Sequence, residues 1–306
     1  SSPITRDQET KRSNPERMDR LSATNYLNLV AYCFNVAFTY GIGVGGVFGL
    51  KTNTEVSDLY PTLITPVGWA FAIWSIIFIS QGIFAIIQLF SPFRASALVL
   101  QGVGLSYVGV CLSQIVWTIA FSLEIIWLSV IFMLCILFFL YRIVVMEMQV
   151  QNDSRSNFSI RDYGLLQFPF SVHAGWITAA SFVNISVLLV YLEAARYAQF
   201  YVALASLVGF LFVAMIALFY PSRPEYVIPL VLSWATFGIY TELRNPSDII
   251  SNGFDADVLD VVKIGSLATS AVILAAVLIR AVIAFVNRRR NQGAGEENVY
   301  LRADEK

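Results

Sequence analysis

Apolar positions along this chain gather in long blocks, with no short alternating period. Eight blocks stand out, at about 24–50, 64–90, 95–122, 124–146, 164–191, 198–220, 226–241 and 258–286. A transmembrane helix needs roughly 20 mainly apolar residues, so the blocks predict an all-α integral membrane protein with about eight transmembrane helices. Polar connections separate them. The segment 51–63 carries Glu55 and Asp58, Ser91-Pro92 closes the second block, 147–163 is long and polar, and 242–257 is acidic. The junction Phe121-Ser122-Leu123-Glu124 is very short, which predicts a tight antiparallel hairpin of the third and fourth helices.

The stretch from Tyr60 to Trp74 differs from the other connections. Pro61 and Pro66 make the chain arrive extended and then turn into a helix, with Trp69 and Trp74 in its first turns. In the first block Gly41, Gly45 and Gly49 recur at four-residue spacing, beside Gly43 and Gly46. Small residues four apart let helices approach closely in lipid. A phosphate-binding loop is excluded, because no strand precedes these glycines and no Lys-Ser/Thr follows them.

Composition supports the membrane reading. The 306 residues are 57% hydrophobic and only 13% charged, about half the charge of a soluble domain. A net charge of -1 leaves no footprint for nucleic acid. Cys33, Cys111 and Cys135 sit in separate apolar blocks, which is neither a disulfide framework nor metal-ligand spacing. The head, 1–22, is polar with both signs of charge and shows no signal-peptide pattern.

Lys and Arg set the expected orientation. With eight spans, 15 of the 20 fall on the side of both termini: Arg6, Lys11, Arg12, Arg17, Arg20, Arg94, Arg142, Arg155, Arg161, Arg223, Arg288, Arg289, Arg290, Arg302 and Lys306. Lys51, Arg196, Arg244 and Lys263 fall opposite, and Arg280 lies within the last span. Both termini are therefore expected in the cytosol, stroma or matrix. The sequons at Asn152, Asn157 and Asn184 are expected to stay unmodified, the first two in an inner loop and the third within a helix.

Residues that could carry chemistry are few. His173 is the one histidine. No second histidine, Asp or Glu stands a turn away, so a protein-built zinc or iron site is not expected. His173 reads as a hydrogen-bonded interior histidine or, alternatively, as an axial ligand to a tetrapyrrole metal. Glu124, Arg142, Glu193, Lys263 and Arg280 sit at helix ends, placed to reach the interface, which weakens an ion-coupled transporter reading. No nucleophile is marked out beside the histidine. Six tryptophans remain: Trp69, Trp74, Trp117, Trp127, Trp176 and Trp234. Interfacial anchoring suits Trp234. Trp127 and Trp176 suit equally a pocket for a flat apolar molecule.

These residues together resemble the TspO/MBR family, the tryptophan-rich sensory proteins that include the translocator protein. The resemblance rests on Tyr60-Pro61-Thr62-Leu63, Pro66, Trp69 and Trp74, then on Gln114-Ile115-Val116-Trp117 with Phe121. Trp127 follows, then Phe168-Pro169-Phe170, Trp176, Ala180 and Asn184. The family pattern has five helices. Three more follow here, as in a longer eight-helix branch, and Arg223-Pro224-Glu225-Tyr226 with Trp234 looks like that branch too. Trp69 and Trp74 stand one residue closer together than in the translocator protein, and Pro169 lies about one turn further from Trp176.

The resemblance implies a polar tail at 1–23, a five-helix membrane domain at 24–192, a three-helix extension at 193–286 and a basic then polar tail at 287–306. It also implies a pocket for a planar hydrophobic ligand: a tetrapyrrole (porphyrin, haem or chlorophyll), a lipid or a sterol. Matched positions are Trp69, Phe71, Ala72, Trp74, Trp127, Trp176, Ala180, Val183 and Asn184, with 52–63 as a lid. The expected role is binding, carrying or sensing that ligand. The rivals are an accessory subunit of a large photosynthetic or respiratory membrane complex, and a porphyrin-modifying enzyme that no residue set demands. Expected partners are the bilayer, a hydrophobic small molecule, and a larger complex or a second copy as homodimer. The expected membrane is thylakoid, mitochondrial or bacterial inner membrane.

Overall fold

A computed structural model describes residues 21–153 and 159–304, with side chains to residue 287 and at Arg289. The N-terminal tail to residue 20, Arg155, Lys306 and the sequon residues Ser154 and Asn157 lie outside the described residues. Among the described residues the chain is helical, with no strand. Six helical segments are long and apolar enough to cross a membrane: Ala23–Val44, Gly68–Ile87, Ile126–Asp153, Ile160–Tyr191, Arg196–Phe219 and Ala256–Asn287. Two shorter apolar helices, Ser106–Ser122 and Val227–Glu242, stand at the third and seventh expected spans.

The regular helices are α1 (Ala23–Phe38), α2 (Asn53–Leu59), α3 (Ile73–Ile87), α4 (Ser106–Ser122), α5 (Ile126–Asp153), α6 (Phe168–Tyr191), α7 (Arg196–Phe219), α8 (Val227–Glu242), α9 (Asp248–Gly253) and α10 (Ala256–Asp304). The chain forms two compact units. One holds residues up to Tyr60 and Ala72–Ile177; the other holds Pro61–Phe71 and Thr178 onward.

In the first unit, α1 gives way to a wider π turn at Thr39–Val44 and then ends. The glycines expected to seat a neighbouring helix mostly terminate this one. Gly46 and Gly49 adopt left-handed φ of 59° and 73°, which costs glycine little. A Cβ on Gly41 or Gly49 would meet nothing within 4 Å. The segment expected as a plain polar loop folds into α2. Its capping box has the Thr52 side chain accepting from the Glu55 amide, while the Glu55 carboxylate accepts from the Thr52 amide at 2.7 Å. The third apolar block is not one uniform helix. A π turn at Leu98–Val103 precedes α4, and Gly104, at φ 51°, separates the two.

The expected α4–α5 hairpin is present. It closes in a Schellman turn, with Ile125 N–H donating to the Ala120 carbonyl and Glu124 N–H to that of Phe121. Glu124 takes the left-handed position, φ 58°, where glycine is the usual residue. Its side chain explains the choice. The carboxylate accepts from Lys51 Nζ and, at 2.8 Å, from the Tyr60 hydroxyl, which ties both ends of the α2 loop to the hairpin. The Lys51 bond first, and then the Tyr60 bond, hold the Glu124 carboxyl below the usual carboxylate range. A lowered folded pKa contributes stability above the ordinary carboxylate value and loses it as pH falls through the lowered one. A nitroxide at Ser57→Cys should thus stay immobilised at neutral pH and loosen only below the ordinary carboxylate range. Glu124→Gln should loosen it at neutral pH and flatten the profile. A profile unchanged by that substitution would remove Glu124 as the tether.

The second unit packs α7, α8 and α10 together. Between α8 and α10, Ser233 and Ser270 exchange hydrogen bonds, their hydroxyls 2.9 Å apart. Phe182 meets Phe210 edge-on at 5.1 Å, where Gly209 has no side chain to obstruct the ring. The inserted segment Pro61–Phe71 lies on α8. Val67 N–H donates to the Gly238 carbonyl at 3.2 Å, and Trp234 Nε1–H to the Ala70 carbonyl at 3.1 Å.

Candidate functional site

The nine positions implied by the resemblance fall into several groups. In the first unit, Trp74 lies edge-on to Trp176 at 6.3 Å and to His173 at 5.7 Å, and stacks on Phe78 at 5.6 Å. Trp176 is buried, His173 fully so, and Trp74 half-buried. The α6 positions 173 and 176 share a face one turn apart, which is why two residues from one helix meet one ring of α3. Ala180, Val183 and Asn184, further along α6, belong to the second unit.

Trp69 and Phe71 belong to the segment Pro61–Phe71 of the second unit. Trp69 meets Trp234 edge-on at 4.6 Å and Phe237 at 6.2 Å. Trp234 was expected only as an interfacial anchor; here it also holds the backbone of the Pro-Trp turn. Ala72 is exposed. Trp127, near the start of α5, is 56% exposed.

A buried polar seam in the first unit went unread in the sequence. Asn25, Asn28 and Asn35 lie on one face of α1, Gln81 on α3, Gln88 at the C-cap of α3, and Gln114 on α4; all six are fully buried. Asn28 Nδ2 donates to Gln88 Oε1 at 3.3 Å, and Asn35 Nδ2 to Gln114 Oε1 at 3.3 Å. Asn25 Nδ2 donates to the Gln88 carbonyl at 3.1 Å, and Gln88 Nε2 returns a bond to the Asn25 carbonyl at 3.2 Å. Gln81 bonds His173 Nδ1 at 2.9 Å, and Tyr107 donates to Gln81 Oε1 at 3.3 Å. Around Tyr107, Phe84 and Phe170 form an edge-on trio with it at 4.8 to 5.7 Å. The signal was present in the spacing: amides three and ten apart on α1 and seven apart on α3 repeat with the helix. Attention to charged groups alone passed over them.

Polar pairs of this kind are neutral. They hold helices together in lipid, where an unpaired amide has no water to turn to. Among the described residues no three His, Cys, Asp or Glu side chains gather as a metal site. Beside Trp74 stand the rings of Phe78 and Trp176 and the His173 imidazole.

Long apolar helices with paired amides between them define a polytopic all-α membrane protein. A family model described as TSPO-like protein matches residues 25–286, and the chain belongs to that family. Comparison with curated proteins and with solved structures finds no match.

Proposed function

We propose that this protein binds, and carries or senses, a planar hydrophobic ligand such as a tetrapyrrole or a sterol. The observation that supports the reading is the cluster of Trp74, Trp176 and His173. It puts two large aromatic faces and one imidazole together in a buried interior. Aromatic faces with a convergent polar group suit small-molecule binding. We also propose, from the Lys and Arg asymmetry, that both termini lie on the cytosolic, stromal or matrix side.

Titration of the purified protein with protoporphyrin should quench its tryptophan fluorescence. Trp176→Ala should weaken binding by about tenfold, the loss of one aromatic contact of order 1 kcal/mol with its buried area. Trp127→Ala should leave the affinity within about twofold, because that ring is 56% exposed where Trp176 is buried. Equal affinities for wild type and Trp176→Ala would defeat the proposed site.

A further inference from the structure

The bonds around Gln81 determine which nitrogen of His173 carries its proton. Gln81 Nε2 lies 2.9 Å from His173 Nδ1 and 3.5 Å from the Pro169 carbonyl, while Gln81 Oε1 lies 3.3 Å from the Tyr107 hydroxyl. A carbonyl only accepts, so the amide NH2 is the end that faces Pro169, and it faces Nδ1 as well. Tyr107 then donates to the amide oxygen. An NH2 group can bond only a lone pair, so Nδ1 is the bare nitrogen. The ring is buried, with no acidic partner among the described residues, and is the neutral imidazole. Its one proton therefore sits on Nε2. Nε2 is buried and has no hydrogen-bond partner among the described residues. A buried donor without a partner is rare in folded chains, and this one sits on the ring that meets Trp74.

A tetrapyrrole metal takes a lone pair from an imidazole nitrogen. In this arrangement the lone pair belongs to Nδ1, and Gln81 already occupies it. The residues present do not fit an axial ligand. They fit a donor. Resting on the ligand-binding reading above, we propose that His173 Nε2–H donates a hydrogen bond to an oxygen acceptor of an apolar ligand held against Trp74. The ligand class is narrowed to sterols and metal-free tetrapyrroles, which carry hydroxyl or carboxylate oxygens, and away from metallated tetrapyrroles. Gln81 is a positioning residue that fixes the tautomer.

Because His173 is the one histidine of the chain, labelling histidine with ¹⁵N reports on it without assignment. The full chain in lipid nanodiscs should show one bare and one protonated ring nitrogen, the protonated one coupled to both ring carbon-bound protons as Nε2 is. Cholesterol or metal-free protoporphyrin should shift Nε2 and leave Nδ1 nearly in place; the arm that shifts it identifies the source of the oxygen. Zinc protoporphyrin should bind no tighter than the metal-free compound. His173→Leu should weaken the active probe about tenfold, and His173→Gln, which keeps an N–H donor, should recover most of that loss. A protonated Nδ1, or zinc-dependent tightening abolished by His173→Leu, overturns the proposal. Tryptophan quenching with an unmoved Nε2 overturns it alone. Absence of both tryptophan quenching and any shift of Nε2 with all three probes overturns it together with the ligand-binding reading.

Discussion

Gln88→Leu is expected to destabilise the first unit by about 2–4 kcal/mol, read as a lowered unfolding midpoint in mixed micelles. Gln88 is fully buried and serves two partners on α1. It accepts from Asn28 Nδ2 and donates Nε2–H to the Asn25 carbonyl. Leucine matches its bulk but leaves the Asn28 amide with neither end bonded, since Asn28 Oδ1 already lacks a partner. Each orphaned buried group costs about 1–3 kcal/mol. The decisive comparison is the double variant. Asn28→Leu with Gln88→Leu replaces both partners by apolar groups, which can be nearly neutral, so it should be more stable than Gln88→Leu alone. Simple addition of the two single losses would show that the seam does not couple α1 to α3.

Gly238→Leu is expected to expel the segment Pro61–Phe71 from α8, at a cost of about 1–3 kcal/mol for the overpacked contact. A Cβ at Gly238 would stand 3.0 Å from Pro66 Cβ and 3.1 Å from Ala70 Cβ. Neither is the end of a flexible chain, so the backbone of the turn must move. Hydrogen exchange at the Val67 amide reports the event directly, because its bond runs to the Gly238 carbonyl. Protection there should fall sharply in Gly238→Leu and less in Gly238→Ala, while the Tyr107–Phe84–Phe170 trio keeps its near-ultraviolet signal. Unchanged Val67 protection in the leucine variant would mean that α8 does not hold the turn.

The contact between the Pro-Trp turn and α8 changes how the family pattern is understood in this chain. The residues that carry the resemblance, Pro66 and Trp69, are held by Trp234 and Gly238, which the five-helix pattern does not include. Nothing in the turn's own sequence points to a partner 164 residues away, because a hydrogen bond from an indole to a backbone carbonyl leaves no periodic trace. The Trp74–Trp176–His173 cluster was partly legible, since each residue had been singled out by type. Their meeting was not, and Trp127 carried the same type label yet stands at the surface.

Block length and composition alone determined that this is a helical membrane protein. Hydrocarbon tolerates only backbone that satisfies itself, so about 20 apolar residues in a row leave one answer. The ordered tryptophans and prolines likewise determined the family. Two things were decided only by tertiary structure: the pairing of amides across α1, α3 and α4, and the bond between Gln81 and His173. Each depends on which groups from distant segments come within about 3 Å of one another. In a protein whose lipid solvent cannot replace a missing hydrogen bond, those few pairings determine what its interior can offer a ligand.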